Sequence, residues 1–210
     1  MPRTRIKICG ITRPEDGVLA ARLGADAIGL VFYVQSARAV DTATALEILH
    51  VLPPFVTVVG LFVNADPAMI REILRQVPLA MLQFHGDEDP DYCASFGLPF
   101  IKAVPMGVAT DIRAYERQFM KAAGLLLDSH GGVRTGGSGR CFDWEKIPSS
   151  LVKPIILAGG LNPYNVAEAV RRVRPYGVDV STGVESAKGI KDSGLLRAFM
   201  RGVKKGENSV

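Results

Sequence analysis

The sequence predicts an α/β protein built as one (β/α)8 barrel with eight parallel strands, and three observations predict it. Short β-branched or apolar runs alternate eight times with stretches of helical period along the 210 residues, which is the pattern of a parallel sheet with crossover helices. Most of those runs are apolar on both faces, as strands between a helical shell and a packed interior must be. The turn after the first run, Cys9-Gly10-Ile11-Thr12, lacks the GxGxxG spacing with which an open doubly wound sheet usually announces itself. Eight units in 210 residues leave about 26 residues each, near the lower size limit of the TIM barrel and too few for an inserted domain. A single domain over residues 1–210 is therefore expected, with only the last few residues trailing from it.

The elements follow in order. A strand over Arg5–Cys9 leads to a helix over Pro14–Leu23, opened by Thr12 or Arg13 ahead of Pro14-Glu15-Asp16. The run Ala27–Phe32 precedes a helix over Thr42–Val51, and Val56–Phe62 precedes one over Pro67–Gln76, where Asp66-Pro67 sets an N-cap acid before a proline at the first helical position. Met81–Phe84 and Phe100–Ala103 supply the fourth and fifth strands, with a less regular connection after Ala103 and a helix over Ile112–Lys121. Leu125–Leu127 is the sixth strand, and the segment after it is again irregular. Pro154–Leu157 precedes a helix over Asn165–Val173, and Val178–Val180 precedes one over Ser193–Val203.

Composition narrows the function. The chain is 48% hydrophobic and 22% charged, ordinary for a globular protein. No stretch approaches the roughly 18 apolar residues of a membrane span, and Met1-Pro2-Arg3-Thr4-Arg5-Ile6 has no apolar core of a secretory signal. The cytoplasm is the expected compartment. Cys9, Cys93 and Cys141 form no CxxC pair, so neither a disulfide framework nor a zinc site is expected. The net charge of +4 and pI near 9.0 suit an anionic ligand, but the basic residues are dispersed and accompany no nucleic-acid-binding module.

In such a barrel the residues that end the strands converge on one face, where active sites of this fold lie. The candidates there are Cys9, Arg38, Asn64, His85, Lys102, Asp128, Gly159-Gly160, and Asp179 with Ser181-Thr182-Gly183. Small residues leave backbone N–H groups able to point at an anion, so Gly136-Gly137-Ser138-Gly139, Gly159-Gly160 and Ser181-Thr182-Gly183 are phosphate-binding candidates. Each alone fits a tight turn; three meeting at one place favour phosphate. Cys9 is either an inert buried thiol or, near helix N-termini and Lys102, a base or nucleophile with a lowered pKa. Asp128 ends an apolar strand, where an acid caps its loop or holds a proton for general acid catalysis. His85 suits a ligand contact or a backbone hydrogen bond, Arg38 a carboxylate fork or a surface ion pair, and Lys102 alone is weak support for Schiff-base chemistry. Cys93 and Cys141 lie away from strand ends and read as structural or incidental.

These residues fall within segments that resemble the phosphoribosylanthranilate isomerase family of tryptophan biosynthesis. The matching segments are Lys7-Ile-Cys-Gly-Ile-Thr12, Gly29-Leu-Val-Phe32, Ser36-Ala-Arg38, Val59 to Asn64, Leu82 to Glu88, Leu127-Asp-Ser129, Gly136 to Gly139 with Phe142-Asp-Trp144, Leu157 to Leu161, and Gly177 to Glu185. The resemblance implies an Amadori rearrangement of a small phosphosugar adduct without metal or organic cofactor, by a monomer or homodimer. It implies Asp128 as the acid, Cys9 as the base, Arg38 on the anthranilate carboxylate and Asp179 on a sugar hydroxyl, beside the His85 substrate contact read from position. The three glycine-rich loops would hold the phosphate, through Gly137, Ser138, Gly139, Gly159, Gly160, Ser181, Thr182 and Gly183. Two positions depart from the family pattern: Ala37 stands where proline is commoner, and Phe84 where an aliphatic residue is commoner. The sister isomerase of histidine biosynthesis is the nearest rival. Cys9 in place of a first-strand aspartate argues against it, as does the lack of a second phosphate site across the barrel. A catalytically silent relative would be free to lose Cys9 or Asp128.

Overall fold

The computed structural model describes residues 3–107, 110–129 and 142–208. Eight parallel strands close into a barrel in sequence order: β1 (Arg5–Cys9), β2 (Ala27–Val31), β3 (Thr57–Phe62), β4 (Met81–Phe84), β5 (Phe100–Pro105), β6 (Gly124–Asp128), β7 (Ile155–Leu157) and β8 (Gly177–Val180). Closure is made by β8 against β1, with Lys7 in register with Asp179. The surrounding helices are α1 (Pro14–Arg22), α2 (Thr42–Val51), α3 (Pro67–Gln76), α4 (Pro90–Ala94), α5 (Ile112–Gln118), α6 (Val166–Val173) and α7 (Ser193–Glu207). Between β6 and β7 the described residues contain a 3-10 turn at Trp144–Lys146.

Alternation along each strand sorts side chains to two faces. Ile8, Ile28, Leu30, Phe62, Leu82, Leu125, Leu127 and Val178 join the large core between barrel and helices. Ile101, Ala103, Leu126 and Ala158 pack inside the barrel, and Cys9, Val31 and Leu61 form a second inner group. Burial on both faces explains why the strands read as near-continuous apolar runs.

The start of α3 is as expected, with Asp66 accepting from Ala68 N–H at 2.7 Å. At α1 the residue before Pro14 is Arg13, which makes no side-chain cap, and Thr12 instead donates to the Gly189 carbonyl at 2.6 Å. Two features lay outside the expected set. α4 has only five residues, and a hairpin of β9 (Glu185–Ala187) and β10 (Ile190–Lys191) follows β8. α7 also runs four residues beyond Val203, to Glu207.

Candidate active site

β1 delivers Lys7 and Cys9 to the same inner face. Cys9 is buried, and the room for its sulfur comes from β2: a Cβ on Gly29 would stand 2.8 Å from Sγ. Lys7 Nζ donates to Asp179 Oδ2 at 2.9 Å, with both side chains 7% exposed, while Asp179 Oδ1 is buried with no hydrogen-bond partner among the described residues. Burial disfavours the Lys7 ammonium, but Asp179 and Cys9 outweigh it and hold its pKa above the ordinary lysine value. Burial pushes the Cys9 thiol up; Lys7 pulls it down, Asp179 adds to the rise and Lys191 opposes it. The net rise corrects the expectation of a lowered thiol.

Part of that expectation placed Lys102 nearby, and the structure places it elsewhere. β5 extends to Pro105, so Lys102 lies mid-strand, and its neighbours Ile101 and Ala103 take the inner face. Lys102 points into the helical layer. There Nζ donates to Glu88 at 2.8 Å and to the Gly86 carbonyl at 2.5 Å, and lies 5.6 Å from the Phe119 ring centroid. Glu88 also accepts from the N–H groups of Asn64 (2.8 Å) and Gly86 (2.9 Å), tying together the loops after β3 and β4.

Across the ring, with β7 and β8 between it and β1, Asp128 ends β6 with Oδ2 3.4 Å from His85 Nε2. Gln83 lies at the other ring nitrogen, 2.9 Å from Nδ1. An amide N–H there puts the proton of a neutral ring on Nε2, facing Asp128. Arg38 reaches over the mouth from the loop after β2. Its stem packs against Gly10, where a Cβ would lie 2.7 Å from Arg38 Cδ. Its fork is engaged by Glu185, Nε at 2.8 Å and Nη2 at 2.6 Å. Glu185 is pushed up by burial and more strongly down by Arg38 and Lys191, leaving its pKa below the ordinary carboxylate value.

Among the described residues the starts of the loops after β6, β7 and β8 come together. Gly159 and Gly160 have φ of +75° and +70°, a left-handed path that disfavours side chains. A Cβ on Gly159 would overlap the Ser129 backbone nitrogen, and one on Gly183 the Leu161 carbonyl oxygen. The loops after β6, β7 and β8 thus touch backbone to backbone. Asn162 and Asn165 donate to the Gly160 carbonyl at 3.2 and 3.0 Å, and Thr182–Val184 form a 3-10 turn. Gly137, Ser138, Gly139 and Cys141 lie outside the described residues. Cys93 is in the core, its thiol pushed up to about 12 by burial.

Sequence reasoning gave no role to Lys7, Glu88, Glu185 or Lys191. A charge flanked by Ile6 and Ile8, two residues before Cys9 on the same strand, was the available signal for Lys7. Among the described residues, no cluster of three His, Cys, Asp or Glu could hold a metal ion.

A closed parallel barrel with acid, thiol, imidazole and small-residue loops on its C-terminal rim defines a (β/α)8-barrel enzyme. Residues 6–202 match the family model described as N-(5'phosphoribosyl)anthranilate (PRA) isomerase. The curated N-(5'-phosphoribosyl)anthranilate isomerase of Nitrosococcus oceani is 55% identical over 201 residues, covering 96% of this chain and 98% of that protein. The crystal structure of phosphoribosyl anthranilate isomerase from Thermus thermophilus is 37% identical with a TM-score of 0.85, covering 96% of this chain and 98% of that one. A phosphoribosyl anthranilate isomerase solved with reduced 1-(o-carboxyphenylamino)-1-deoxyribulose 5-phosphate is 37% identical with a TM-score of 0.79 and the same coverage. The chain belongs to the N-(5'-phosphoribosyl)anthranilate isomerase family, whose reaction is a step of tryptophan biosynthesis.

Proposed function

We propose that Cys9 and Asp128 are the base and acid of the isomerisation of N-(5'-phosphoribosyl)anthranilate to 1-(2-carboxyphenylamino)-1-deoxyribulose 5-phosphate. Asp128 gives a proton to the furanose ring oxygen as the bond from that oxygen to C1 breaks. The anilino nitrogen lone pair then forms the C1–N double bond of a Schiff base. Cys9, as thiolate, takes the proton from C2, and the electron pair left behind forms the C1–C2 double bond as the C–N π pair returns to nitrogen. The resulting enolamine takes a proton at C1, loses the one on the C2 hydroxyl and becomes the ketone. Cys9 must ionise to act, and burial resists this, so the ammonium of Lys7 serves as the counter-charge for the thiolate.

The observation that carries this reading is that Cys9 and Asp128 end strands on one rim, two intervening strands apart. Each has a polar neighbour suited to its task, Lys7 for the thiol and His85 for the carboxyl. Arg38 takes the anthranilate carboxylate, exchanging all or part of its bond to Glu185. Asp179 turns its unpartnered oxygen to a sugar hydroxyl. Gly159, Gly160, Ser181, Thr182 and Gly183 offer backbone N–H groups to the phosphate, with the start of α6 adding a partial positive charge.

We place the enzyme in the cytoplasm; Cys9 and Cys93 are free thiols, as a reducing compartment favours. It works as a monomer or homodimer, which sedimentation distinguishes. The decisive assay follows loss of fluorescence of the anthranilate adduct. Cys9→Ala and Asp128→Asn should each lower turnover by about two orders of magnitude or more with unchanged circular dichroism. Turnover near wild type in either variant removes that residue from its role.

A further inference from the structure

The β9–β10 hairpin sits beside Cys9 and has no part in the barrel. Its turn is anchored to the loop after β1 through Thr12 and Gly189, and its second strand to α1, where Asp16 Oδ2 accepts from Lys191 N–H at 3.0 Å. The Lys191 side chain is 0% exposed. From there Nζ donates to the Cys9 carbonyl at 2.6 Å, to Glu185 Oε1 at 2.9 Å and to the Ser181 carbonyl at 3.3 Å. One ammonium thereby joins the end of β1, the end of β8 and the carboxylate that grips Arg38.

We propose that Lys191 is a positioning residue for the isomerisation: it holds the Cys9 peptide and the Arg38–Glu185 pair in register, and its charge favours the Cys9 thiolate. The proposal rests on the assignment of Cys9 as base. Among the described residues, the charged groups around Cys9 are Lys7 on its own strand, Asp179 on β8, Lys191 on β10 and Arg38 from the loop after β2, with Glu185 of β9 bonded to both Lys191 and Arg38. Three cations stand against two carboxylates, and Lys191 is the cation on which the excess depends, since Lys7 is matched by Asp179 and Arg38 by Glu185. A buried lysine needs paired acceptors to stay charged, and the three named above, with Ser181 Oγ at 3.4 Å, supply them. Burial lowers the Lys191 pKa while Glu185 and Cys9 oppose the fall, so its charge depends on the groups it serves.

The test is the pH profile of kcat/KM, whose rise with pH marks ionisation of the base in the free enzyme. Lys191→Met should move that rise up by about one pH unit or more, the scale of a lost charge within a few ångströms. Lys191→Arg should restore it toward wild type, and Glu185→Gln, which deletes a neighbouring negative charge, should move it down. A purely structural role would lower activity in all three without opposite shifts. An unmoved rise in Lys191→Met, or one moving in the same direction as in Glu185→Gln, overturns the proposal. Should Lys191→Met fail to fold by circular dichroism, Glu185→Gln decides: a downward shift supports the proposal and no shift overturns it. Cys9→Ala separates the two readings. Near wild-type turnover in that variant removes the base assignment and the proposal with it, whereas an inactive Cys9→Ala beside unmoved profiles removes Lys191 alone.

Discussion

Replacing Lys102 by methionine removes the cation beneath the loops after β3 and β4 and keeps most of the side-chain volume. Lys102 and Glu88 are each 2% exposed, so the carboxylate would be left in the interior with only the N–H groups of Asn64 and Gly86. Stranding one partner of a buried pair costs about 3–5 kcal/mol. With a urea dependence of about 3 kcal/mol per molar, the unfolding midpoint should fall by about 1–1.7 M. Circular dichroism across a urea titration reads this directly. The double variant Lys102→Met, Glu88→Gln should be more stable than Lys102→Met alone by about 1 kcal/mol or more, because a neutral amide still accepts a backbone N–H and carries no stranded charge. A single variant within about 1 kcal/mol of wild type would refute the electrostatic argument, and so would a double variant less stable than the single.

Two further outcomes follow from the rim and from the opposite end of the barrel. Gly160→Leu, at φ of +70°, should raise KM for the phosphosugar more than it lowers kcat, because a phosphate grip acts equally in ground and transition states; an unchanged KM in steady-state assays would exclude that loop from the grip. Asp26, ahead of β2, is pushed up by burial but held below the ordinary carboxylate pKa by Arg3, the Ile6 N–H and Arg5. A depressed folded-state pKa gives stability that is present above the unfolded value and lost as pH falls through the folded one. Asp26→Asn should therefore lower the thermal midpoint near neutrality and lower it progressively less as the pH is taken below the ordinary carboxylate range; an equal loss at every pH would contradict this.

The barrel was legible because eight doubly buried strands leave an unmistakable rhythm of apolar runs, and Arg5–Cys9 and Met81–Phe84 begin and end where their composition changes. What composition does not carry is parity. Reading Lys102 as a rim residue took β5 to end at Ala103; two more residues of strand carry the rim past it, and alternation with the inward Ile101 and Ala103 sets it on the outer face. Lys7 was hidden for a related reason. Its neighbour Asp179 is 172 positions away, and only the register of β8 on β1 brings them opposite one another. Asp128 and Cys9 stood out as candidates because each ends a strand, a local signal. Glu185 and Lys191 were not, because strands of three and two residues show no period and their meaning lies in what they touch.

Gly29 offers a last consequence. A methyl group at Gly29 would stand 2.8 Å from the sulfur of Cys9, so the permission to have the proposed base here is written in β2 rather than at the sulfur itself. A drifting descendant could keep its thiol and still lose its chemistry to a single alanine on the next strand, silenced by a neighbour that never meets the substrate.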